Sequence, residues 1–144
     1  MNGQLWLGAM IISCTVVIQA ICYETLIRFL NRFRPSMAKR NNIFADLSII
    51  ITTVLAIFAV HTVQIWVWAA IYIALGELTQ LSDALYFSTV TFTTLGYGDI
   101  TLSVNWRLLS AIEAINGILL FGWSTAFLFA VLTNMWKRKG LLAQ

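Results

Sequence analysis

Ser82-Asp83-Ala84-Leu85-Tyr86-Phe87-Ser88-Thr89-Val90-Thr91-Phe92-Thr93-Thr94-Leu95-Gly96-Tyr97-Gly98-Asp99 is the stretch on which the fold turns. Ser82 and Asp83 are residues that cap helix N-termini, and the residues after them suffice for a short helix over 83–93. Gly96 and Gly98, separated by one tyrosine, end that helix in a glycine-punctuated extended strand. Long apolar stretches flank the segment at 46–75 and 107–135. Non-helical backbone at membrane depth persists only where protein buries it or a water-filled space meets it. A short helix and strand held between two spanning helices therefore describe a re-entrant loop beside a pore.

Composition supports the membrane setting. Of the 144 residues, 60% are hydrophobic and 10% charged, against about 25% charged residues in a soluble domain. Too few polar side chains remain to cover a water-facing surface. At roughly 20 residues per spanning helix, three spans fill most of the chain, and no enzyme is expected. Residues 5–27 form the first span, interrupted by Ser13, Thr15, Gln19 and Glu24. The second apolar stretch exceeds what a perpendicular crossing needs, so tilt is expected. The third stops at Lys137, Arg138 and Lys139. Residues 77–106 hold Glu77, Asp83 and Asp99 and are too polar to cross alone.

Eight of the nine basic residues lie in two clusters, 28–40 and 137–139. Two spans separate the clusters, so both can face the cytoplasm, as loops rich in Lys and Arg do. The N-terminus and 77–106 are then outside and the C-terminus inside. Trp6, Trp66, Trp68 and Trp106 fall near outer ends and Trp136 near an inner one. The basic segment 28–40, around Pro35, reads as an interfacial turn able to meet anionic lipid head groups. A net charge of +3 then reports topology, and no nucleic-acid partner is expected. Cys14 and Cys22 share one apolar helix about 12 Å apart in rise, too far for a disulfide.

A dehydrated potassium ion needs a cage of oxygens, and backbone carbonyls supply one without full negative charge. For successive carbonyls to line one axis, alternate residues must take backbone angles closed to most side chains, which Gly96 and Gly98 permit. Thr94 can add its hydroxyl, and Tyr97 can point away from the axis.

Thr94-Leu95-Gly96-Tyr97-Gly98-Asp99 matches the potassium-channel filter signature of threonine, an aliphatic residue, then Gly-Tyr-Gly-Asp. Tyr86, Phe87, Ser88 and Thr93 match its flanks. The run from Glu113 through Gly117 to Gly122 is similar to the inner helix of small bacterial potassium channels. The chain thus resembles the pore-loop potassium channels closely over 82–134 and by pattern over 46–81, with an extra N-terminal helix in 1–45. The resemblance implies an all-α membrane protein of three transmembrane helices plus a pore helix and filter loop. Its pore domain is 46–136, with outer helix 46–76, pore helix 83–93, filter 94–99 and inner helix 107–135, before a short basic tail, 137–144. It implies a homotetramer, since one chain supplies one of four strands. Potassium ions would sit on the carbonyls of Thr94, Leu95, Gly96 and Tyr97, up to Gly98, with no other cofactor. Asp99 would stand at the outer mouth bonded to Tyr86. Leu95 replaces the commoner valine, and Val90 stands where some channels keep a glutamate.

Along the last span, Ile118, Phe121, Thr125, Phe129 and Thr133 recur at three- and four-residue steps and share a face, read as a cavity lining, with Gly117 as hinge or packing residue. Glu113 and Asn116 are polar within that span, and intramembrane ionisable residues are functional candidates; a hydrogen bond to the pore helix would satisfy Glu113. His61, the only histidine, falls mid-span as a packed or pH-sensing residue. The expected activity is passive, selective potassium conduction across a cell membrane, read from the compactness of the chain as a bacterial inner membrane. A weakly selective cation channel and a non-conducting scaffold are the alternatives.

Overall fold

The computed structural model describes residues 2–38 and 43–139. Every regular element among them is helical: α1 (Asn2–Ala38), α2 (Ile43–Ala74), α3 (Leu81–Phe92) and α4 (Arg107–Arg138). Three are long and apolar enough to cross a membrane, over Gly3–Arg32, Ile43–Ala74 and Arg107–Lys137. The 12-residue α3 is too short to do so. It wedges between α2 and α4, while α1 packs on the same two long helices from the other side.

The chain is apolar outside and polar inside. Trp6, Ile43 and Phe58 are largely exposed, while Thr15, Gln19, Gln64, Ser88, Glu113 and Asn116 are wholly buried. Lipid solvates the apolar exterior, and in hydrocarbon a polar group is satisfied only by another polar group. Hence the polar side chains turn inward. Ile11, Trp68, Tyr72, Phe87, Phe92 and Leu109 build the core around α3. Leu26, Leu30, Ile49, Val131 and Met135 zip the three long helices at the opposite end. There Lys139, the C-cap of α4, pairs with Asp46 of α2, so the described parts of both basic clusters share one end of the bundle.

Helix limits differ from the sequence reading in four places. First, α1 continues through the basic segment to Ala38, where an interfacial turn was expected. Arg28 pairs with Glu24 one turn back at 2.8 Å, and α1 ends three residues after Pro35. Lys39, Arg40 and residues 140–144 of the tail lie outside the described residues. Second, α3 starts at Leu81 with Gln80 as N-cap and no side-chain cap bond; Ser82 and Asp83 fall inside the first turn, where Asp83 faces the positive end of the helix dipole. Third, α2 spans Ile43–Ala74 where 46–76 was expected, and Gly76 just beyond it, with a φ of 73°, turns the chain back so that Glu77 N–H reaches the Tyr72 carbonyl at 3.1 Å. Fourth, α4 runs past 135 into the basic cluster, to Arg138.

The end of α3 rests directly on α4 at Gly117. A Cβ built there overlaps the Phe92 carbonyl oxygen and its carbon. Backbone cannot give way as a side chain tip does, so only glycine lets the end of α3 rest on α4. Gly117→Ala is expected to destabilise the folded protein by about 1–3 kcal/mol, the usual cost of overpacking. Thermal unfolding in detergent measures it; an unchanged midpoint would remove this packing role.

Candidate functional site

From Thr93 the chain leaves α3 as an irregular strand through Asp99. Thr94, Gly96 and Gly98 have φ of 63°, 57° and 77°. Left-handed backbone therefore alternates with ordinary backbone at Leu95 and Tyr97. Alternation of this kind turns successive peptide planes so that their carbonyls can face one side. Two of the three positions are glycines, which take it at little cost. Thr94 is the only non-glycine with positive φ among the described residues, and it is β-branched. Such a conformation costs roughly 1–2 kcal/mol, and strain of this sort concentrates at functional sites.

The strand is anchored at its start. Thr94 N–H donates to the Thr91 carbonyl at 2.9 Å, and Gly96 N–H to the Val90 carbonyl at 3.2 Å. Among the described residues, no hydrogen bond is accepted by the carbonyls of Thr94, Leu95, Gly96 or Tyr97. Residues 94–99 are all exposed in the single chain, Tyr97 by 67%. No cluster of three or more His, Cys, Asp or Glu side chains gathers among the described residues. The cation donors on offer are these free carbonyls and the Thr94 hydroxyl.

The strand's outer end is fixed by side chains. Tyr86 O–H donates to Asp99 Oδ2 at 2.7 Å, and Ile100 N–H donates to Asp99 Oδ1 at 3.1 Å. The Tyr86 bond, chiefly, holds the Asp99 carboxyl below the usual carboxylate range, and the same bond pushes the Tyr86 phenol up. Beyond Asp99, Glu77 accepts from both the N–H and the hydroxyl of Ser103 at 2.8 Å, tying the loop before α4 to the end of α2. A groove of about 320 Å³ runs behind the strand, between Tyr86 and Val90 of α3 and Ser110, Ala111 and Ala114 of α4.

Behind α3, Glu113 meets Ser88 at 2.5 Å and accepts from Tyr72 O–H at 2.6 Å. The expected bond from Glu113 to the short helix is present. His61 and Asn116 belong to a second buried polar seam that joins α1 to α2 and α4. Asn116 bonds Thr15 at 3.0 Å. The ring of His61 bridges Gln64 at 2.9 Å and Ser124 at 2.8 Å. Gln19 donates to the Leu120 carbonyl at 3.1 Å, and Tyr23 to Ser124 at 2.6 Å. Thr15, Gln19, Tyr23, Gln64 and Ser124 were not singled out in the sequence. A signal for them exists: Thr15, Gln19 and Tyr23 recur every four residues in an otherwise apolar span, and so share one face.

The supposed lining of α4 divides. Ile118, Thr125 and Phe129 are exposed on one side of the single chain, and Thr133 is half-buried. Phe121 is turned inward instead, its ring centre 4.6 Å from that of His61 and 5.5 Å from that of Phe92. Aromatic packing within the subunit wins over the shared-face reading at that position. Gly117 is buried against Phe92, on the packing side of α4.

A family model described as an ion channel matches residues 58–134, which include the second half of α2, all of α3, the strand and most of α4. No curated protein and no solved structure matches.

The bond between Tyr86 and Asp99 has a definite pH dependence. Because the carboxyl is depressed in the folded chain, its stabilising contribution is complete above the ordinary carboxylate range and is lost as pH falls through the depressed value. Tyr86→Phe is expected to move the Asp99 titration upward, read by carbon NMR of the labelled carboxyl. An unmoved titration would mean that the phenol does not hold Asp99.

Proposed function

The chain belongs to the ion channel family, and from that premise we propose that it is a potassium-selective channel whose filter is formed by four copies of Thr94–Gly98. The observation that carries this reading is the alternation of left-handed backbone at Thr94, Gly96 and Gly98 beside four carbonyls free of hydrogen bonds. Free carbonyls at membrane depth need either protein donors or a cation and water. A ring of such carbonyls replaces the hydration shell of potassium while leaving the ion able to depart.

One chain contributes one strand, exposed along its length, so three further copies complete the cage and cover it. In the tetramer the C-terminus of α3 points its partial negative charge toward the ion path. Ile118, Thr125 and Phe129 face the cavity below the filter. Asp99 at the outer mouth raises the local cation concentration. Both described basic ends lie together in the fold, which supports a cytoplasmic C-terminus and an outer N-terminus. Arg28 and Arg32 near that face favour anionic lipid.

A non-conducting scaffold is the second reading, favoured by α1, which lies wholly before the matched residues. Rubidium uptake into potassium-loaded liposomes separates the two. Purified wild-type protein is expected to take up rubidium, with barium blocking and sodium not competing. Gly96→Ala is expected to abolish the uptake, because a side chain at a φ of 57° is strained. Uptake by the alanine variant at the wild-type rate would refute the filter assignment. Absence of uptake by the wild-type tetramer would favour the scaffold.

A further inference from the structure

Glu113 is wholly buried, inside a membrane span. The ion pairs among the described residues are Arg28 with Glu24 and Lys139 with Asp46; Glu113 has no cation of its own. Around it stand hydroxyls from two other helices, Tyr72 of α2 and Ser88 of α3. An isolated carboxylate in an apolar interior is costly enough that such a group normally gives up its charge.

A count of protons points the same way. The Ser88 hydroxyl carries one proton and lies close to two oxygens, the Ile65 carbonyl at 3.0 Å and Glu113 Oε1 at 2.5 Å. A carbonyl has no proton to give. If Ser88 donates to Ile65, the proton in the shorter contact comes from Glu113. An ionised Glu113 would take the proton of Ser88 for itself and leave the Ile65 oxygen facing a lone pair. Tyr72 has already donated to Oε2, so the neutral acid satisfies every contact and the anion does not.

We propose that Glu113 is held as the neutral carboxylic acid, donating from Oε1 to Ser88, and that this proton-bearing strut positions the pore helix behind the filter. The chain of donors runs from Tyr72 to Glu113, from Glu113 to Ser88, and from Ser88 to Ile65. It starts on α2, crosses α4 and α3, and returns to α2 seven residues from its origin. Bonds aligned in one direction reinforce one another, and this loop fixes α3 against the two helices that carry it. Ser88 lies one turn before Phe92, where α3 rests on Gly117, so the strut and the glycine contact hold the same end of the helix. The effect on selectivity rests on the potassium-pore reading; the proton does not.

Glutamine is the isostere of the neutral acid, since its amide donates on one side and accepts on the other. Leucine fills the space and does neither. Infrared spectroscopy of wild-type protein in liposomes at neutral pH is expected to show the carbonyl band of a protonated carboxylic acid. The other five of the six acidic side chains are exposed or half-buried, so loss of the band in a Glu113 variant assigns it to the buried acid. The acid band should vanish in Glu113→Gln and shift in Ser88→Ala. Rubidium-over-sodium discrimination should survive in Glu113→Gln within about twofold. It should fall by about tenfold or more in Glu113→Leu, the scale of leaving buried hydroxyls without their partner. A wild type without the acid band overturns the proposal, as does a glutamine variant that loses discrimination as leucine does. Unchanged discrimination in Glu113→Leu overturns the positioning role. Wild-type protein that passes sodium as readily as rubidium would sink the potassium reading, while the band would still decide the proton.

Discussion

A backbone carbonyl in a membrane must have a partner, and the strand after α3 leaves four of them without one. Helices escape this requirement by pairing every group within themselves. A strand that is neither helical nor paired in a sheet is tolerable only if something else supplies the positive end of the interaction. Left-handed backbone at Thr94, Gly96 and Gly98 keeps this strand irregular in a repeating way. The rest of the molecule is built to hold that repeat in place.

Support comes from behind and from both ends. α3 is short and buries apolar side chains around the single polar Ser88, and it stops where the Phe92 carbonyl meets Gly117. Ser88, Tyr72 and Glu113 strap it to the two helices on which it lies. Tyr86 and Asp99 close the outer end of the strand against α3 itself, and Glu77 holds the following loop through Ser103. None of these interactions is strong in isolation. Together they tie the strand to α3 and to the ends of the long helices at several points.

α1 adds something different. It lies before the residues matched by the family, yet it is not a loose addition. Thr15, Gln19 and Tyr23 carry a polar stripe into the cleft between α2 and α4 and meet His61, Gln64, Asn116 and Ser124 there. Interhelical hydrogen bonds in membranes contribute about 0.6 kcal/mol each on average. A seam of several therefore fixes which face of α1 is inward more firmly than its apolar residues do. The seam reaches Ser124 and Leu120 on α4, directly beside Phe121 and Phe92, so the first helix bears on the same helix that supports the strand.

The three spans, the short helix between them and the glycine-punctuated strand were legible in the sequence by itself. Hydrophobic runs longer than a bilayer is thick, a polar interval and Gly-Tyr-Gly need no tertiary information to be read. The candidate cation site was legible for the same reason, because its donors are consecutive backbone groups. What faced what was not. In a membrane protein the lipid and the core are both apolar, so hydrophobic periodicity does not say which side of a helix is buried. Phe121 therefore went to the interior although its spacing grouped it with Ile118 and Thr125, and α1 ran on through Arg28 to Ala38 where charge suggested a turn. The buried side of each helix is marked instead by its few polar residues, and these find one another only in three dimensions. Glu113 met Ser88 and Tyr72, and Gln19 met Ser124, because no solvent was available to satisfy them otherwise; only the packed chain decides those pairings.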